Sequence, residues 1–181
     1  MILAIDTSIG TSVALVAADG VVIAERSSPD VRGHAESIGA FLEEVGAEGS
    51  PTAVAVGMGP GAYTGLRVGI AAARAFARGR DLPLLPVPSH DAVREELGLA
   101  EGALLATPAG RRGHYVSASG ETRLVHDGAT DARHVAAVSA AALARVALAR
   151  AATGVPTGPE QPLYLREPDV TPSAGPKRVT G

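Results

Sequence analysis

Residues 57–69 read "GMGPGAYTGLRVG", five glycines and one proline set between an apolar run and a helical pattern. Upstream, "TAVAVGM" at 52–58 is short, almost wholly apolar and bounded by turn residues, as in a strand covered on both faces. Downstream, Leu66, Gly69, Ile70, Ala73, Phe76 and Ala77 fall on one side of a helix from Gly65 to Arg78, with Thr64 available as its N-cap. A glycine-rich turn between a strand and a helix defines an α/β chain and supports two readings. Gly59 and Gly61 permit positive φ beside the stiff Pro60, and the N–H groups at Gly65 through Arg67 attract anions, which suits a phosphate loop. The same features suit a tight corner that lets two elements pack closely. Neither the Walker A nor the G-x-G-x-x-G pattern is present.

Working outward, "ILAID", "SVALVA" and "VVIAER" read as three strands, the last two joined by a tight turn at "ADG". Asp6 closes the first strand. It either holds a hydrated magnesium ion beside a phosphate or bonds its own backbone in an Asx-turn. From His34 to Val45 the positions Ile38, Phe41, Leu42 and Val45 keep the spacing of an amphipathic helix. "LPLLPV" at 82–87 adds a buried strand, and Ser89 stands where it can cap the helix "HDAVREEL". Antiparallel opening strands followed by a parallel segment imply a mixed sheet with helices on its faces. Beyond it, "ALLAT", "HYVSAS" and "TRLVH" suggest short strands, about 134–152 a helix by propensity, and the Pro- and Gly-rich end an irregular tail.

Composition narrows the function. With 181 residues and 46% hydrophobic content the chain can bury a real core. It has no cysteine, which removes disulfides, thiol nucleophiles and cysteine-bound zinc. A net charge of −3, a pI near 5.9 and 3% aromatics argue against a broad RNA-binding face. No segment resembles a signal peptide or membrane span, so a cytoplasmic location is expected. His34, His90, His114, His126 and His134 include no pair four apart, and there is no G-x-S-x-G, so neither a helical two-histidine metal site nor a serine hydrolase has support. Arg74, Arg78 and Arg80 are read as a solvated helix end rather than a phosphate contact.

"ILAIDTSIGTSVAL", "GMGPGAYTGLRVGIAAARAFA" and "PLYLREPDV" occur in the order and spacing of the TsaB (YeaZ) family, which the chain resembles over residues 1 to about 97 and again at 159–170. That family is the non-catalytic sister of TsaD, the catalytic subunit that forms N6-threonylcarbamoyladenosine in tRNA. The resemblance implies the actin, sugar-kinase and Hsp70-like (ASKHA) α/β fold: a first lobe at 1–97, a shortened second lobe at 98–158 and a tail at 159–181. It also implies an accessory subunit with no catalytic residue and no metal, whose partners are TsaD and TsaE, with a homodimer when TsaD is absent and tRNA met mainly through the partners. In the catalytic relative two metal-binding histidines stand four apart on the helix that here begins near Ser89. This sequence has Ser89 and Val93 at those places, and His90 is one residue off. Any ATP or ADP is then bound weakly or at an interface, through Asp6, Gly59, Gly61 and Thr64. The helices 34–46 and 65–79 match the family's docking helices, so Ile38, Phe41, Leu42, Leu66, Gly69, Ile70 and Ala73 are the expected partner contacts. Leu66→Asp or Ala73→Arg should then abolish docking; burial of the same stripe in the chain's own core is the alternative. Pro108, Ala109 and Gly110 in "TPAGRRGHYVS" depart from the family's Asp-Ala-Arg pattern, and the strand and Gly-rich turn expected between "ETRLVHDG" and the Ala-rich helix are missing. The rival reading is a small ATP-dependent kinase or carbamoyltransferase of the same fold.

Overall fold

A computed structural model describes residues 1–31, 33–100, 102–110, 113–126 and 131–165. The first sheet contains β1 (Ile2–Asp6), β2 (Thr11–Val16), β3 (Val22–Ser28), β4 (Ala53–Gly57) and β5 (Leu84–Val87), in the order β3-β2-β1-β4-β5. β1, β2 and β3 pair antiparallel, and β4 and β5 extend the sheet in parallel with β1. The opening meander and its parallel extension are those expected from the hydrophobic pattern.

Alternation along β1 divides the core. Leu3 and Ile5 face α1 (His34–Gly46) and α2 (Tyr63–Gly79), joining Val13, Leu15, Val54, Leu66 and Ile70 in one cluster. Ile2 and Ala4 face the other way, against α3 (Ser89–Leu97) and α4 (Ala140–Thr153). The result is a helix–sheet–helix sandwich. The Ala-rich composition of α4 has a packing reason: Ala140, Ala141, Ala144 and Ala147 share a cluster with Ala4, Ala14 and Ala55 of the sheet, so small side chains on both sides permit close approach. Helix α4 therefore belongs with the first sheet, although its place in the sequence put it in the second lobe.

The second sheet is β6 (Leu105–Pro108), β7 (His114–Ala118), β8 (Glu121–Val125) and β9 (Arg133–His134), in the order β8-β7-β6-β9. β9 has two residues and pairs in parallel with β6, so a short strand does precede the Ala-rich helix. Most of the final Pro- and Gly-rich stretch, from 166 onward, lies outside the described residues.

Two caps differ from expectation. α2 begins at Tyr63 behind Ala62, with no side-chain cap, and Thr64 sits exposed in the first turn. α3 follows Pro88, and its first residue Ser89 sends its hydroxyl elsewhere. α4, by contrast, is capped by Ser139, whose Oγ accepts from Ala142 N–H. Glu25 of β3 also accepts from Ala141 N–H at 3.1 Å, which places a carboxylate at the positive end of the helix.

Candidate functional site

The turn after β1, the glycine-rich loop and the start of α3 meet at Asp6, which is 2% exposed. Its Oδ1 accepts from Ser8 N–H at 2.8 Å and from the Ser8 hydroxyl at 2.5 Å; its Oδ2 accepts from the Ser89 hydroxyl at 2.5 Å. The bond to Ser8 N–H is the Asx-turn geometry. Ser89 Oγ also accepts from Gly59 N–H at 3.1 Å, and Gly59 O accepts from Ser89 N–H at 2.8 Å. Burial raises the Asp6 carboxyl above its ordinary value, against the lowering effect of these donors. Both carboxylate oxygens thus accept from the chain's own groups.

The glycines of the loop explain the fit. A Cβ on Gly57 would collide with Asp6 Oδ2, and one on Gly61 would lie 2.7 Å from Ser8 Cα. The Gly59–Pro60 peptide is cis and Gly59 has a φ of +90°. Along α2, Gly65 and Gly69 admit the backbone and side chain of Thr7, whose hydroxyl donates to Gly65 O at 2.8 Å. Asp6, Gly59 and Gly61 therefore converge, while Thr64 remains on the outer surface. Close approach does occur on this small-residue stripe, and the element that approaches is the chain's own β1–β2 turn.

Val93 and His90, the other α3 positions singled out by sequence, are both buried. His90 Nδ1 lies 2.6 Å from Ser117 Oγ and Nε2 2.8 Å from Thr107 Oγ1, tying α3 to the second sheet. Ser117 beside His90 has the reach of a nucleophile and its base. Burial, and then the positive charge of Arg94, holds His90 at about 4, which makes it a weak base at neutral pH. Among the described residues no group of three or more His, Cys, Asp or Glu side chains is placed to hold a metal ion.

The docking residues need correction. Ile38, Leu66, Gly69, Ile70 and Ala73 are buried in the chain's own core, with Leu66 and Ala73 at 0% exposure, so they have no surface to offer a partner. Phe41 and Leu42 are half-buried against the same cluster. What the pair of helices presents outward is different: Glu36, Gly39, Ala40, Glu43 and Glu44 on α1, and Arg67, Ala71, Arg74, Ala75 and Arg78 on α2. α1 contains no Lys or Arg and α2 no Asp or Glu, so one outer face is acidic and the other basic.

Sequence reasoning missed the end of the described chain. Leu163 N–H donates to Met58 O at 2.8 Å, and the Tyr164 ring stands 4.8 Å from that of Tyr63. Arg67 in turn donates to the Tyr63 hydroxyl at 3.0 Å. The "PLYL" run marked this place in the sequence, but its contact partners lie about a hundred residues away and leave no local signature.

Such a sandwich, with an antiparallel meander extended in parallel and a second small mixed sheet, is an ASKHA-like α/β architecture. Residues 22–166 match the family described as "TsaD: tRNA N6-adenosine threonylcarbamoyltransferase". The chain belongs to that family. The solved structure of YeaZ from Pseudomonas aeruginosa superposes with a TM-score of 0.65 at 24% identity, covering 91% of this chain and 99% of that one. An uncharacterized protein of Mycobacterium tuberculosis is 37% identical over 122 residues, covering 63% of this chain and 56% of the relative. A tRNA N6-adenosine threonylcarbamoyltransferase of Streptococcus sanguinis is 38% identical over 125 residues, covering 62% of this chain and 36% of the relative. The matches thus span only about half, or about a third, of these curated relatives.

Proposed function

We propose that this chain is an accessory, non-catalytic subunit of the machinery that forms N6-threonylcarbamoyladenosine in tRNA. It acts in the cytoplasm by docking TsaD and, through that pair, the ATPase TsaE; a second copy takes the docking face when TsaD is absent. Family membership supports the setting. The observation that carries the docking role is the outer surface of α1 and α2: Gly39, Ala40, Ala71 and Ala75 leave room for another helix, and a Cβ on Gly39 would meet nothing within 4 Å. Arg67, Arg74 and Arg78, spaced seven and four apart, line one side of α2 without a carboxylate partner among the described residues. Such exposed charges contribute little to folding but can steer and orient association.

The filled corner at Asp6 supports a scaffold rather than an ATP-consuming enzyme, since a nucleotide would have to displace Ser8 and Ser89. Size-exclusion chromatography of the chain mixed with its own organism's TsaD tests the docking. Wild-type chain should co-elute with TsaD, and Arg74→Glu combined with Arg78→Glu should abolish co-elution while the variant stays folded. Undiminished co-elution of the variant would remove this face from the account. Tight magnesium-dependent ATP binding by the isolated chain, lost in Asp6→Ala, would favour the kinase or transferase reading instead.

A further inference from the structure

Between α3, the β7–β8 hairpin and the segment that follows α4 lies a cavity of about 420 Å³. That volume is in the range of small-molecule sites. Its lining has two characters. Pro88, Pro156, Pro159 and Leu163 form an apolar wall, while Arg94, Arg150, Asp91 and Thr122 contribute charge and hydrogen-bonding groups.

The charges do not balance. Arg150 Nη2 pairs with Asp91 Oδ2 at 2.7 Å, so those two cancel. Arg94 is half-buried, and its three bonds go to neutral acceptors: Ala103 O at 2.7 Å, and Ser117 O and Oγ at 2.9 Å each. A guanidinium has five N–H groups, so those three bonds leave Arg94 with two to spare. A partly desolvated cation without a counter-ion among the described residues is costly, and a ligand that brings the missing charge would repay it.

We propose that this cavity binds a small organic oxyanion, a carboxylate or phosphate monoester whose charged end meets Arg94 and whose apolar body lies on the proline and leucine wall. The site is separate from the outer face of α1 and α2, and the proposal stands whether or not the chain joins the tRNA-modifying complex. Arg94 is held in place by two carbonyls before any ligand arrives, so its charge is preorganised. Thr122 lines the cavity from β8, the edge strand of the second sheet, and is half-buried.

The test is an amide-resolved NMR titration of the full ¹⁵N-labelled chain with benzoate, phenyl phosphate and, as the neutral analogue, benzyl alcohol, all at constant ionic strength. One or both anions should produce saturable shifts at Gly120, Thr122 and Val155, with a half-point at least about tenfold below that of the alcohol. The anion that binds more tightly identifies the carboxylate or the phosphate as the natural chemistry. Arg94→Gln and Thr122→Glu, each with a spectrum showing the native fold, should weaken the anion by about tenfold or more. The proposal is overturned if the alcohol binds as well as the anions, if the shifts map instead to the arginines of α2, or if Thr122→Glu binds undiminished.

Discussion

The inner and outer sides of α2 treat charge and small residues in opposite ways. On the inner side, Gly65 and Gly69 exist to admit Thr7, and the neighbouring carboxylate of Asp6 is enclosed by Ser8 and Ser89. On the outer side, Ala71 and Ala75 are exposed, and Arg74 and Arg78 carry charge into solvent. The glycine-rich signature thus belongs to a sealed interior corner, while the exposed face of the helix is the plainer stretch beside it.

The largest effect should come from putting charge on the sealed side. Leu66→Asp or Ala73→Arg should cost about 4 kcal/mol or more, because an unpaired charge would enter the core. Urea denaturation checks this, and a Leu66→Asp chain with a near-wild-type midpoint would mean that the inner side is not sealed. These variants report folding, so loss of docking in them would not locate an interface.

The buried base comes next. His90 is held at about 4, below its ordinary 6.5, so its neutral form contributes stability above pH 6.5 that is lost as pH falls towards 4. The full loss is about 3 kcal/mol. Replacing the imidazole by an amide, His90→Gln, should flatten that part of the pH profile; identical profiles for the two chains would show that the histidine is not enclosed.

Gly69→Ala probes the close approach alone. Its added methyl would collide with the Thr7 side chain and strain the bond to Gly65 O, at a cost of about 1–3 kcal/mol. An unchanged thermal midpoint would show that the turn yields. Asp6 should produce a signature of opposite sign to that of His90. Its carboxyl is raised, so the stability linked to it is fully present below the ordinary carboxylate value and is lost as pH rises through the folded one. The stability of wild type relative to Asp6→Asn should therefore fall with rising pH; a rise would mean the ionised form is the favoured one. Smallest for folding, Arg74→Glu with Arg78→Glu should shift stability by no more than about 0.5 kcal/mol.

Periodicity made the meander, α1, α2 and the strand-to-helix corner legible, because each depends on neighbours a few residues apart. It could not say what an apolar stripe faces. Leu66, Ile70 and Ala73 look the same whether the partner is the chain's own sheet or another protein, and here it is the sheet. Ser89 is a plausible cap by local rules, yet its hydroxyl is taken by Asp6, 83 residues earlier in the chain. His90, Arg94 and Tyr164 gain their meaning from the second sheet and the glycine loop, contacts that only tertiary folding creates. The outer charge segregation was present in the sequence all along, and it needed the burial pattern to separate it from the core stripe.

The most direct test of the scaffold role is threonylcarbamoylation of tRNA by the same organism's TsaD and TsaE, supplied with threonylcarbamoyl-adenylate. Multiple turnover should require this chain, survive Asp6→Asn, and fail with the combined Arg74→Glu and Arg78→Glu chain. Equal turnover with and without the chain would contradict the scaffold role, and full activity of the doubly substituted chain would contradict docking through the outer face of α2.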